Sequence, residues 1–163
     1  MTGRESKKYY DSITLTENRS RLKLLTDFRS LVIIYFDNSR LNLMTGEYIE
    51  ENDAAEAKVA INLILKEAYN MIRLANIKTY SASNTVLATS RHGKSMDIIL
   101  NIFNLGRNEI PHETAVEYID RAIKVYRSNR LDSFIRTMNP FFWISIFFDY
   151  IAGLFRKKEE SAE

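Results

Sequence analysis

Apolar residues recur along this chain at helical spacing, and the first run begins just after Thr14-Leu15-Thr16-Glu17, which has the spacing of a capping box. Leu15, Leu22, Leu25, Phe28, Val32 and Tyr35 then stack on one face of a helix. From Leu31 to Phe36 the chain is apolar all round, which predicts a helix passing through the centre of the fold. Val32 to Phe36 would also suit a buried strand, but it continues the periodic stretch before it, and helix is preferred.

Met44-Thr45-Gly46-Glu47 reads as a turn, followed by an acidic stretch. Asp53 with Glu56 repeats the capping spacing, and Ile61, Ile64, Leu65, Ala68, Ile72 and Ala75 mark a second helix ending near Ile77. These two helices are expected to pack as an antiparallel pair. Residues 79–94, rich in Ser, Thr and Asn, read as a long irregular connection. Ser95 is placed to cap a short third helix that reaches Leu105 and closes at Gly106. Pro111 opens a fourth, with a stripe of Val116, Ile119, Ile123 and Tyr126. Ser128-Asn129 interrupts it before Leu131, Phe134, Ile135 and Met138 resume a similar face.

The last helix is the most distinctive segment. Asn139-Pro140 is a strong start signal, Asn as cap and Pro at the first helical position. On a helical wheel Ser145, Asp149, Ala152 and Arg156 share a polar sector roughly 60° wide. Trp143, Phe147, Tyr150 and Leu154 lie opposite, with Phe142 and other large apolar residues widening the arc. Arg156, Lys157 and Lys158 end the helix in a basic cluster. Residues 140–155 would rise only about 24 Å, short of the roughly 30 Å of a bilayer core, and Asp149 would sit inside it. The narrow polar sector, interfacial aromatics and basic end suit a helix lying in the headgroup plane of an anionic membrane. The same arc would equally be covered by the protein's own core or by a second subunit.

Composition narrows the chemistry. Apolar residues are 45% and charged residues 27%, and five Gly with two Pro leave little punctuation, which favours long helices. With no Cys there is no disulfide, thiolate metal site or cysteine nucleophile, and a reducing intracellular compartment fits. Met1 to Asp11 is polar and lacks the apolar core of a secretory signal. His92 and His112 have no helical-face partners for a metal. A net charge of +2 gives little steering toward polyanions, and Arg121, Lys124, Arg127, Arg130 and Arg136 share no clean face, so nucleic acid is not an expected partner. Asp97, Glu109, His112 and Glu113 are acids and bases without a spacing that links them.

Ala88 to Ser95 fits a relaxed nucleotide-binding loop, in which Gly93 would allow close phosphate approach, Lys94 would reach the outer phosphates and Ser95 would bind Mg²⁺. The first Gly of that pattern is Ala here, and the parallel sheet that such a loop needs is not indicated.

The sequence therefore predicts an all-α protein, a compact bundle of five to six helices: a polar segment 1–13, a helical domain 14–138, an amphipathic helix 139–158 and an acidic tail 159–163. Its expected role is non-enzymatic attachment to the inner face of a membrane or to a membrane complex, with no cofactor. The alternative is a soluble interaction module or homo-oligomer, and nucleotide binding is a minor reading.

Overall fold

Thr14 starts the first helix as its spacing suggests: its Oγ1 accepts the Glu17 amide at 3.3 Å. The reciprocal half of the box does not form, because the Glu17 carboxylate pairs with Arg21 at 2.5 Å. The computed structural model describes residues 9–82, 95–141, 143, 144 and 147. Its elements are α1 (Leu15–Asp37), β1 (Ser39–Asn42), β2 (Glu47–Glu50), α2 (Asn52–Leu74), β3 (Tyr80–Ala82), β4 (Ser95–Asp97), α3 (His112–Ser128) and α4 (Arg130–Met138). The protein is mostly helical. Among the described residues there are four α-helices with defined bounds, helical residues beyond Asn139, and two antiparallel strand pairs, so the expected count of five to six helices is not matched.

Buried positions of α1 alternate by three and four residues: Asn18, Arg21, Leu25, Phe28, Val32 and Tyr35. The seam therefore begins with two polar residues, and Leu15 and Leu22, expected in it, are only half-buried. The expectation of a helix covered all round is also corrected. Leu31 and Ile33 are half-buried and Ile34 is exposed, because α2 and α3 pack on α1 and leave that side open.

The α1–α2 pair is antiparallel. At one end the Tyr126 hydroxyl, from α3, donates to the Met71 carbonyl at 2.9 Å and accepts from Arg21; at the other, Glu50 receives the Tyr35 hydroxyl and the Lys58 ammonium. The connection is a hairpin. Its turn is fixed by the Asn42 side chain accepting the Met44 amide and by the Gly46 amide bonded to the Asn42 carbonyl at 2.7 Å. Gly46 sits at φ +67°, and a Cβ there would come within 2.7 Å of the Arg107 backbone. Gly106 faces it, with the Gly46 carbonyl 2.7 Å from where its own Cβ would be, so the two glycines let the hairpin and the 106–108 turn meet backbone to backbone. α2 is capped by Glu51 without a side-chain bond, not by Asp53, which lies in the first turn. It ends at Leu74 in a Schellman arrangement: Asn76 adopts φ 60°, and the Ile77 amide returns to the Ile72 carbonyl.

The expected third helix is replaced. Ser95 opens a strand, pairing with Ala82 in an antiparallel register that sets Tyr80 opposite Asp97. Asp97, buried, accepts from Thr79 and from the amides of Ile99 and Leu100, which starts a turn. The Asn101 and Asn108 side chains then donate to the Asp97 and Asn104 carbonyls, and 3₁₀ turns follow at Ile102–Asn104 and Gly106–Asn108. The apolar side chains of this stretch, Ile98, Ile99, Ile102 and Leu105, still enter the core. Pro111 immediately precedes α3, and Ile119, Ile123 and Tyr126 are buried as the stripe requires. Asn129 separates α3 from α4 as expected.

Two outcomes follow from this packing. Gly46→Ala forces both a left-handed Ala and a backbone clash, and should lower unfolding free energy by at least about 1 kcal/mol in urea melts. Burial pushes the phenols of Tyr35 and Tyr126 above the ordinary value of 10.0. Their neutral-state stabilisation is complete below that value and lost as pH rises through the raised ones. Tyrosinate absorbance should therefore show a late, unfolding-linked fraction that is smaller in Tyr126→Phe and smaller again in Tyr35→Phe with Tyr126→Phe.

Candidate functional site

α4 packs on the first turns of α1, where the seam is polar, and this decides which of its faces turns inward. Asn18 and Ser133 are fully buried, and the Asn18 Nδ2 donates to the Ser133 Oγ at 3.1 Å. The same hydroxyl accepts from Asn129 Nδ2 at 3.1 Å and Arg136 Nη2 at 3.2 Å. Thr137 Oγ1 accepts the Leu15 amide, an orphan donor of the first turn of α1, at 2.9 Å. Arg136 reaches the Ile13 carbonyl, and Asn129 donates to the Tyr10 carbonyl. Buried polar groups cost free energy unless bonded, and the polar stripe of α4 supplies partners for the Asn18 side-chain nitrogen and the Leu15 amide, while the buried Asn18 Oδ1 has none among the described residues.

The apolar stripe of α4 consequently faces outward. Leu131, Phe134, Ile135 and Met138, expected to continue the buried face of α3, are exposed; the only buried residue of α4 is Ser133. Beyond it, Asn139 Oδ1 accepts the Phe141 amide at 3.0 Å, which confirms Asn139-Pro140 as a helix start. Residues 140, 141, 143, 144 and 147 are helical. The Trp143 indole N–H donates to the Thr137 carbonyl at 2.8 Å, tying this helix to the end of α4. Leu131, Phe134, Ile135, Met138, Phe141, Trp143, Ile144 and Phe147 are each between 47% and 76% exposed, an unusual density of large apolar side chains on a surface.

Of the residues that the sequence nominates here, Trp143 and Phe147 are exposed helical positions. Phe142, Tyr150, Leu154, Arg156, Lys157 and Lys158 lie outside the described residues. Upstream, Lys124, Arg127 and Arg130 are exposed, whereas Arg136 is turned inward to the polar seam. Gly93 and Lys94 also lie outside the described residues, and Ser95 begins a strand where a phosphate loop would open a helix. The loose acid–base group does not gather. Asp97 is committed to Thr79 and two amides, and only His112 and Glu113 are close, at 3.6 Å.

Periodicity alone missed the outward stripe of α4. The signal was in α1, where Asn18 and Arg21 occupy seam positions and require a polar neighbour.

The inversion of α4 has a stability signature. Ser133→Ala removes the acceptor of the buried Asn18 Nδ2 and one of the acceptors of Asn129 and Arg136, and should cost about 1–3 kcal/mol in urea unfolding. Phe134→Ser and Ile135→Ser, on the outer face, should stay within about 0.5 kcal/mol of wild type. The opposite ranking would mean that α4 packs through its apolar side. Comparison with known protein families, with curated proteins and with solved structures gives no match.

Proposed function

We propose that this protein attaches peripherally to a membrane surface through the outer stripe of α4 and the helix that starts at Asn139, which holds the helical domain on the cytoplasmic face. The observation that carries this reading is the inversion of α4, which satisfies its polar side against α1 and leaves its apolar side uncovered. A stripe that continues into Phe141, Trp143, Ile144 and Phe147 offers the aromatic content that favours the headgroup region. Lys124, Arg127 and Arg130 stand exposed next to it in the chain, and Arg156-Lys157-Lys158 follows it in sequence, supplying attraction to anionic lipid worth about 1 kcal/mol per residue near the surface. Among the described residues no helix is long and apolar enough to cross a membrane.

Trp143 is the only tryptophan in the sequence and reports directly on this surface. The intact chain should co-sediment with anionic vesicles at low salt, with a blue shift of Trp143 emission, and bind neutral vesicles more weakly. Phe134→Ser with Phe141→Ser should weaken partitioning by at least about tenfold, since each removes roughly 2 kcal/mol of apolar burial. Protein that stays in the supernatant with unshifted emission rejects the membrane reading. A lipid-free oligomer that the same substitutions dissociate would assign the stripe to a second copy of the chain.

A further inference from the structure

A groove of about 380 Å³ lies between the C-terminal turns of α1 and the first half of α3. It is far from the outer stripe of α4. Ile33, on its floor, is 15 residues along α1 from Asn18, or about 22 Å of helix. Ile33, Phe36 and Val116 make the floor apolar, and the His112 ring stacks on Phe36 with centroids 4.8 Å apart. Four carboxylates line the rest: Asp37, Glu113, Glu117 and Asp120, with no Lys or Arg among the lining residues.

Two of the four are neutralised from outside the groove. Arg29 binds Asp120 at 2.5 Å, an interaction that raises the Arg29 pKa, and Arg121 binds Glu117 at 2.5 Å. Glu113 faces the His112 ring at 3.6 Å and the Tyr48 phenol, and neither Glu113 nor Asp37 has a Lys or Arg ion pair among the described residues. Asp37 is also the last residue of α1, where the helix dipole is negative and a carboxylate is disfavoured. The groove therefore gathers negative charge in a chain whose net charge is +2. The volume is that of a small-ligand pocket, and no three acidic or histidine groups among the described residues converge tightly enough to hold a metal ion.

We propose that this groove binds a small organic cation, an ammonium group on an apolar body. Asp37 and Glu113 engage the charge, while Ile33, Phe36 and Val116 cover the body. The site is independent of membrane attachment.

The test is NMR titration of the full chain with three probes of one shape: 2-phenylethylammonium, 2-phenylethanol and phenylacetate. Saturable shifts at Ile33 and Val116 with the ammonium probe, weaker with the alcohol and absent with the carboxylate, are expected. Asp37→Asn with Glu113→Gln changes two exposed side chains without altering their shape, and should weaken the ammonium probe by about tenfold while the spectrum stays folded. Equal shifts from ammonium and carboxylate, no saturable shift from any probe, or an affinity unchanged by the double variant would each overturn the proposal.

Discussion

Burial of Asn18 and Arg21 at the head of the α1 seam is the constraint on which the outer surface of this protein depends. From Leu25 onward the seam takes apolar neighbours from α2 and α3. Before Leu25 it takes only groups that can bond an amide and a guanidinium. Tyr126 meets Arg21 from α3, and Ser133 meets Asn18 from α4. An apolar face packed on Asn18 would strand its Nδ2 as well as the Leu15 amide, at a cost of about 1–3 kcal/mol each, so α4 is held with Ser133, Arg136 and Thr137 inward. The outward position of Leu131, Phe134, Ile135 and Met138 is the consequence.

That chain of cause gives the molecule two different ends. Around the N-terminal turns of α1, a polar interior carries an apolar exterior, which Trp143 extends into the following helix through its bond to Thr137. Around the C-terminal turns, the hairpin and the 106–108 turn meet at Gly46 and Gly106, and an acidic, apolar-floored groove opens between α1 and α3. Attachment through one end would leave the other facing away from the membrane, since α1 itself separates them.

Much of the helical frame was legible. Thr14 caps α1 and Asn139 caps the next helix, because short polar side chains at helix ends act through local backbone bonds that tertiary packing does not override. The stretch after Ser95 was misread because its four apolar residues do carry helical spacing. Asp97 accepts the Ile99 and Leu100 amides as a helix cap would, but after one such turn the backbone tightens to bonds three residues apart, Asn104 to Asn101 and Asn108 to Leu105, so no regular helix follows. α4 was misread for a different reason: hydrophobic periodicity marks a face but not the direction in which it points. The groove was illegible altogether, since it joins Asp37 to Glu113 across 76 positions of sequence.

The orientation of α4 is the claim from which the rest follows, and the absence of cysteine from the chain makes it directly measurable. Single substitutions Leu131→Cys, Ser133→Cys, Phe134→Cys, Ile135→Cys and Met138→Cys can be labelled with a water-soluble thiol reagent in the folded protein without lipid. The account predicts fast labelling at positions 131, 134, 135 and 138 and strong protection at 133. Protection at 134 and 135 with fast labelling at 133 would contradict it.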